Sequence, residues 1–290
     1  MKQLTHLTIL MLIIVMTTVA GNAVVAQDDD DEENFTALDY FEQGMGYYNN
    51  QDYELAIADF TSALELDAEF ADAYFYRALS RYNQDFRDQD MIDDFTNALE
   101  YEFSDTAWTH NLRGLTYLGM EAYDSALADF ETALELSPTY RSALQNIAHA
   151  YSLIPDWVLY VQTYKRMGEN FDPDSRFYNG MAWGFVQLGR ADVALRYVNI
   201  SLELNPNNWN AVDTRGWAYL LLDEYDLAEA EFLRAIEEGD KYYSYYGLGV
   251  LYAELDDTER AIENLETYVE LEADDAEQDA IDLLAELQSE

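Results

Sequence analysis

The chain contains no cysteine, which excludes disulfide bonds, thiol chemistry and the lipid-modified cysteine of a bacterial lipoprotein. Basic residues are also scarce, because 15 lysines and arginines stand against 58 aspartates and glutamates, a formal net charge of −43. A phosphate backbone or an anionic lipid surface needs a positive partner, so this acidic balance argues against nucleic-acid binding and against docking on anionic membranes. With three histidines and no phosphate-cradling glycine loop, the chain also lacks most of what catalysis needs.

Residues 1–26 have the layout of a secretory signal peptide. Lys2 precedes an apolar run from residue 7 to residue 20, and small or branched residues follow up to Ala26. This layout predicts export to the periplasm, the cell envelope or the outside of the cell. An exported protein without disulfides fits a bacterial envelope best. The alternative is that the same stretch stays in place as an uncleaved membrane anchor.

Residues 27–36 are predicted to form an acidic, disordered spacer. Positions 28–33 are all aspartate or glutamate, and such a run repels itself. A calcium site is the alternative interpretation, but it would need a turn, usually with glycine, to wrap the ligands around the ion. We therefore expect no metal site here and no cofactor elsewhere.

A small residue recurs about every 34 residues along the rest of the chain, which is the period of paired-helix repeats. An aromatic residue follows three positions later in all copies but the second. A second series of alanines comes after the first, each with an apolar residue four positions further on. The first series is Gly44, Ala78, Gly114, Ala148, Ala182, Gly216 and Gly249, and the second is Ala56, Ala126, Ala194, Ala228 and Ala261.

This pattern resembles the tetratricopeptide repeat, and the copy that begins at Ala107 matches it best, with Gly114, Tyr117, Ala126, Phe130, Ala133 and Pro138. The resemblance implies an all-α fold, a right-handed superhelical solenoid of paired antiparallel helices. Seven repeats are expected over residues 37–275, with starts near 37, 71, 107, 141, 175, 209 and 242. Residues 276–290 are expected to form an amphipathic capping helix, with Ile281, Leu284 and Leu287 on its packed side.

The fourth repeat diverges most from the pattern. Pro155 lies at its turn, and Tyr160, Tyr164 and Met167 occupy positions that are alanine, phenylalanine and alanine elsewhere. These bulkier residues are expected to widen the local helix spacing.

Arginines and carboxylates recur at fixed positions in the helices. We interpret them as a ladder of ion pairs that fixes the register of neighbouring repeats, in preference to a ligand site. His110 occupies a position that is tyrosine in other repeats, so packing is a better interpretation than catalysis. The arginines are Arg77, Arg113 and Arg215, and the carboxylates are Asp59, Asp94 and Asp129.

The concave groove is the expected binding surface, because members of the resembled family usually bind there. Asparagine and glutamine interleaved with tryptophan and tyrosine suit an extended peptide, although the aromatic residues could equally complete the packing between repeats. The candidate groove residues are Phe41, Met45, Phe75, Leu79, Trp108, Asn111, Gln145, His149, Asn179, Trp183, Asp213, Trp217 and Tyr246.

The only lysines after residue 26 are Lys165 and Lys241, and neither is expected in the groove. The lysine-based clamp by which some members of the resembled family hold a terminal carboxylate is therefore not expected. The acidic field favours a partner that is basic or neutral and carries aromatic side chains.

The sequence thus predicts an exported scaffold that binds a protein or peptide segment. The alternative is a structural or assembly protein of the envelope that self-associates or organises a complex. An enzyme is the least favoured interpretation.

Overall fold

The computed structural model describes residues 35–239, 241–273 and 276–289. The predicted signal peptide and most of the acidic spacer lie outside these residues. Within them the protein is entirely helical, which confirms the predicted fold class. No helix in the described part of the chain combines the length and the apolar character needed to cross a membrane.

Fourteen of the fifteen described helices form seven consecutive pairs. The first helices are α1 (Ala37–Asn49), α3 (Ala71–Asn83), α5 (Thr106–Gly119), α7 (Arg141–Leu153), α9 (Ser175–Gln187), α11 (Trp209–Leu220) and α13 (Tyr243–Glu254). The second helices are α2 (Tyr53–Leu66), α4 (Gln89–Glu100), α6 (Tyr123–Leu136), α8 (Trp157–Asn170), α10 (Ala191–Leu204), α12 (Tyr225–Gly239) and α14 (Thr258–Glu272). The last helix, α15 (Gln278–Leu287), packs on α14.

Short polar side chains begin several of the helices. Thr36 caps α1 in a capping box with Asp39, so the two residues satisfy each other's free backbone N–H groups. Aspartate side chains accept a backbone hydrogen bond at the start of five later helices, which are α4, α5, α8, α9 and α14. The abundant carboxylates therefore have a structural use at helix N-termini, where the helix dipole favours negative charge.

The turn inside six of the seven pairs contains one residue in the left-handed conformation, with φ between 57° and 67°. These residues are Gln51, Asp85, Glu121, Gly189, Asp223 and Asp256. The fourth pair has no such residue, and Pro155 stands in its turn. Proline locks φ near −65°, so it cannot adopt the conformation that the other turns use.

The small residues of the first helices contact large residues of the second helices. A Cβ atom added to Gly114 would lie 2.6 Å from the ring of Phe130, and one added to Gly216 would lie 2.7 Å from Phe232. Both phenylalanines are fully buried. Close approach of the two helices thus depends on a missing side chain in one and a bulky one in the other.

The fourth repeat shifts this arrangement to the next helix. The rings of Tyr160 and Tyr164 in α8 lie against Gly184 and Gly180 of α9, where any Cβ would overlap them. Helices α7 and α8 make the least extensive contact of the seven pairs. Glycines in the following repeat therefore make room for the large tyrosines.

The three arginines form ion pairs inside single repeats. Arg113 donates from Nε and Nη2 to both oxygens of Asp129, at 2.7 Å each. Arg77 holds Asp94 in the same two-pronged way, with a shortest distance of 2.6 Å. Although burial opposes ionisation, hydrogen bonds from Arg113 and from His110 hold the pKa of Asp129 below its usual range. His110 therefore contributes to this pair.

The ladder prediction was wrong in two respects. Arg215 pairs with Glu231, 2.7 Å away, while the carboxylate of Asp59 has a buried oxygen without a hydrogen-bond partner in the described chain. The first repeat has Gln43 where the second, third and sixth have arginine, so Asp59 has no arginine to pair with at this position. The ion pairs also do not link repeats. Only the remaining Nη1 group of each arginine reaches the preceding repeat, at Thr61, Thr96 and Asn199.

The packed side of α15 also differs from the prediction. Leu284 and Leu287 pack on the cluster around Leu265 and Tyr268, as does Leu283. Ile281 is 36% exposed, and Ala280 is the buried residue at the start of the helix. The packed side of α15 is therefore rotated by about one position from the predicted one.

Candidate functional site

The main candidate site is a pocket of about 840 Å³ lined by the first helices of the later repeats. We call it the aromatic pocket and define it by Trp183 of α9, Trp217 of α11, Tyr243 and Tyr246 of α13, and two carboxylates, Glu277 and Asp279. Its remaining walls include Pro155 from the turn of the fourth repeat and Trp157 at the start of α8. Side chains from four successive repeats and the last helix thus converge on one hollow.

The repeat itself places the aromatic rings. Trp183 and Trp217 occupy equivalent positions in consecutive repeats, so stacking of the repeats brings them to the same wall. Tyr243 joins them, with its ring centre 5.9 Å from that of Trp183 and 5.8 Å from that of Trp217. Such tilted and edge-on pairs are the favourable arrangement of aromatic rings.

The two tryptophans differ in how far they belong to the core. Trp217 packs edge-on against buried Phe232 and against Tyr246, and its indole nitrogen is buried with no hydrogen-bond partner in the described chain. Trp183 has a described ring contact only with Tyr243. Both side chains pack against the core cluster around Met181 and Phe185, but Trp217 makes more ring contacts, so we expect replacement of Trp183 to disturb the fold less.

The carboxylates come from the start of α15. Glu277 donates its backbone N–H to the hydroxyl of Tyr268, 3.1 Å away, which holds this end of the helix against the cluster of tyrosines. Burial, reinforced by the negative charges of Asp279 and Glu277, raises the pKa of Tyr246 to about 12. Neither carboxylate forms an ion pair within the described residues, and both are exposed at the rim of the pocket.

A second hollow of about 300 Å³ adjoins the first, and Trp183, Tyr243 and Glu277 line both. It adds the polar side chains of Asn179, Asn210, Asp213 and Lys241. The expectation that no lysine reaches the groove was therefore wrong. The reason is that the repeat register places the connection before α13, where Lys241 lies, at the edge of this hollow.

Asp213 is a buried carboxyl between two repeats. The hydroxyl of Ser244 in α13 donates a hydrogen bond to it, and Lys241 is the nearest positive group. Burial raises the pKa of Asp213 to about 7, because the charged form is poorly solvated there and these two neighbours offset only part of the cost. Asp213 therefore serves packing between α11 and α13 more than it serves as an exposed ligand-binding group.

The structure does not bring all the candidate groove residues together. Four of them are buried and so are not surface groups: Phe75, Leu79, Asn111 and Asp213. Phe75 is covered because the longer second repeat places Phe103 on it, with stacked rings 4.1 Å apart, and Trp108 on its other side.

The other candidates lie at the surface or partly exposed. Phe41 contacts Phe60 and Phe70, so it belongs to the packing of the first two repeats. Gln145 and His149 are exposed on α7, and Met45 is partly buried on α1. Asn111 accepts a hydrogen bond from Asn146 of the next repeat. Of the candidates, only Trp183, Trp217 and Tyr246 line the aromatic pocket, while Asn179 and Asp213 line the adjoining hollow.

Tyr243 occupies an inward groove position equivalent to that of Trp108, although it is absent from the candidate groove residues. Trp157, Glu277 and Asp279 carried no such signal. They reach the pocket only because of where the fourth turn and α15 lie in three dimensions.

Family models agree with this architecture. Models described as "Tetratricopeptide repeat" match residues 107–140, residues 41–102 and 179–243, and residues 242–275. They leave out residues 141–178, the region of the divergent fourth repeat. No curated protein matches the sequence.

Solved structures share the fold at low sequence identity. A tetratricopeptide repeat protein from Parabacteroides merdae is 17% identical with a TM-score of 0.70, and the match covers 87% of this chain and 98% of that one. The C-terminal part of a TPR repeat-containing protein from Cytophaga hutchinsonii is 16% identical with a TM-score of 0.62, covering 84% and 99%. A chain of the APC/C hetero-tetramer Cut9–Hcn1 is 18% identical with a TM-score of 0.58, covering 82% and 46%.

The helix pairs, the small-to-large contacts inside them and the matched models lead to the same assignment. This chain belongs to the tetratricopeptide repeat family.

Proposed function

We propose that this protein is an exported scaffold that binds a segment of another protein in the aromatic pocket. The observation that carries the proposal is the pocket itself, an open hollow of about 840 Å³ that partly exposed aromatic rings from several repeats line together. Large, rigid aromatic groups around a concave site are typical of protein-binding surfaces. Tetratricopeptide repeat proteins bind protein or peptide partners, and the Cut9–Hcn1 relative is part of a hetero-tetramer.

The charge of the chain bears on the partner. A net charge of −43 repels acidic proteins and attracts basic ones, so the partner is basic or neutral, with aromatic or apolar side chains for the pocket. Self-association and organisation of an envelope complex remain the second possibility. Light scattering over a range of protein concentrations tests it, since a self-assembling protein gains mass as its concentration rises.

Selection of random peptides displayed on phage tests the binding proposal. We expect enriched peptides that bind the protein and lose binding to the variant Trp183→Ala, because that side chain lines the pocket and has fewer described ring contacts than Trp217. Trp108→Ala is the matched control, since Trp108 packs on Phe75 away from the pocket. Equal binding to both variants and to the unchanged protein would refute the pocket as the binding site.

Export rests on residues 1–26 alone, which have the charge and apolar pattern of a signal peptide. Expression of the whole chain in a bacterial host tests it. The expected result is a protein in the periplasm whose intact mass lacks the first 26 residues. A full-length protein in the membrane fraction would instead support the anchored alternative.

A further inference from the structure

We infer that the aromatic pocket holds the guanidinium group of an arginine side chain presented by the bound segment. This inference rests on the proposed function and names the chemical group that the pocket recognises. The occupant is a partner polypeptide, and a free small cation is treated below as an outcome of the test.

The charged side chains that line the aromatic pocket are all negative. Glu277 and Asp279 line it, whereas no lysine or arginine does. Both carboxylates are unpaired within the described chain. The pocket therefore has two negative charges that only solvent or a ligand can balance.

Much of the rest of the pocket lining is aromatic. Trp183, Trp217, Tyr243 and Tyr246 line the hollow, and the ring centres of neighbouring pairs lie 5.3–5.9 Å apart. Aromatic faces attract cations through the ring quadrupole, most strongly when the cation is partly removed from water. Aromatic walls and a carboxylate rim together form a site for an organic cation, whereas an apolar side chain would leave the carboxylates unused.

The pocket suits the guanidinium of arginine better than the ammonium of lysine. A guanidinium is planar, so it can stack on an aromatic ring while its N–H groups donate to carboxylates at its edge. It is also more weakly hydrated than an ammonium and costs less to bring into a pocket with apolar walls. The aromatic pocket presents both kinds of wall, because its lining includes the carboxylates Glu277 and Asp279 as well as the rings of the tryptophans and tyrosines.

The nearest positive group does not fill the site. Lys241 lines the adjoining hollow with Asp213 and Glu277, but it does not line the aromatic pocket and forms no ion pair with Glu277 within the described residues. Its positive charge offsets part of the rise that burial causes in the pKa of Asp213. The carboxylates of the aromatic pocket thus remain available to a partner.

A pair of blocked pentapeptides tests the inference directly. One is acetyl-Gly-Ser-Arg-Ser-Gly-amide, and the other has citrulline, which has nearly the same shape and no charge, in place of arginine. Binding to the whole protein is measured at low ionic strength by tryptophan fluorescence. We expect the arginine peptide to bind about tenfold more tightly than the citrulline peptide, and a lysine peptide to fall between them.

Two double variants separate a local site from the general acidic field. Glu277→Gln with Asp279→Asn should lower the affinity for the arginine peptide about fivefold or more, with no change for citrulline. Asp282→Asn with Glu286→Gln removes the same charge from the exposed side of the same helix and should change neither. Equal losses in the two double variants, or equal affinities for arginine and citrulline, would overturn the inference.

The outcomes also separate this inference from the proposed function. Phage peptides that depend on Trp183 but carry no arginine, together with equal arginine and citrulline affinities, would retain the scaffold and reject the guanidinium pocket. Absence of any Trp183-dependent peptide would reject the scaffold proposal itself. Tetramethylammonium is the third probe, and tighter binding of this free cation than of the arginine peptide would show a small-molecule site and overturn the inference.

Discussion

Arg113 donates a hydrogen bond to each carboxylate oxygen of Asp129, both at 2.7 Å, and the two residues belong to the two helices of one repeat. The pair is largely buried, with side chains 17% and 7% exposed. Removing one member of such a pair leaves the other charge buried without compensation, which is why buried pairs matter most when they are broken. The same pairing in the second repeat and a looser one in the sixth make this a recurring device of the array.

We therefore expect Arg113→Ala to destabilise the protein by about 2–4 kcal/mol. Thermal unfolding followed by circular dichroism measures the effect, with Arg166→Ala as the control. Arg166 forms an exposed pair with Glu131, and exposed pairs contribute about 0–1 kcal/mol. Similar losses of melting temperature in the two variants would contradict the assignment.

Asp213 makes a prediction about pH. Its pKa rises from an ordinary value near 3.8 to about 7 on folding, so the native state holds a proton that the unfolded state releases between these values. Stability should consequently fall as pH rises through this window, by at most about 4 kcal/mol in total, and level off above it. Because other carboxylates also titrate, the variant Asp213→Asn isolates the effect.

The variant keeps an oxygen that can accept the hydrogen bond from Ser244 and carries no charge. We expect it to be more stable than the unchanged protein at pH 8, with the advantage shrinking toward pH 5. Urea unfolding at several pH values gives the difference. A difference that stays constant over this range would show that Asp213 is ionised in the folded protein throughout.

Gly180 tests how the fourth repeat accommodates its tyrosines. A methyl group at this position would overlap the ring of Tyr164, so Gly180→Ala should cost about 1–3 kcal/mol. Gly46→Ala is the matched control, because that glycine also lies within a helix but has no atom within 4 Å of its missing Cβ. The control should be stabilising by up to about 1 kcal/mol. Melting temperatures that move in the same direction would refute this account.

The last helix gives a prediction about local stability. Leu284 packs on the cluster of the seventh repeat, whereas Ile281 is one of the more exposed residues of α15. Leu284→Ala should loosen α15 by about 1–2 kcal/mol, while Ile281→Ala should cost about 0.5 kcal/mol or less. Hydrogen exchange of the backbone amides in α14 and α15 reports this directly. Faster exchange in the Ile281 variant than in the Leu284 variant would show that Ile281 is packed, as the sequence predicted.

Much of the fold could be predicted because each repeat encodes it locally. Gly114 and Phe130 form the contact between the two helices of one pair. The same contact recurs in other repeats that have a small residue and a large one at the equivalent positions. The ion pairs were harder to predict, since Glu231 differs from the aspartates in other repeats and its pairing depends on side-chain reach. The tyrosines of α8 were noticed in sequence, but their accommodation by Gly180 and Gly184 was not.

The candidate site shows the limit of this reasoning most clearly. Repeat position predicted that Trp183 and Trp217 would share one wall, and they line the same pocket. Repeat position also placed Phe75 and Asn111 in the groove. In the structure Phe103 stacks on Phe75, and Asn146 donates a hydrogen bond to Asn111. Groove position says which way a side chain leaves its helix, but burial depends on what neighbouring connections place over it.

By itself, the sequence determined the family, the helix pairs and the acidic character of the chain. The 34-residue period follows from the order of residues along the chain, and the net charge follows from composition, so neither depends on the tertiary structure. Only the tertiary structure decided that Glu277 and Asp279 meet Trp183 and Tyr243 at one pocket. The two carboxylates lie far along the chain from Trp183, and the aromatic residues belong to different repeats. Their meeting therefore depends on how each repeat between them is rotated relative to the one before it.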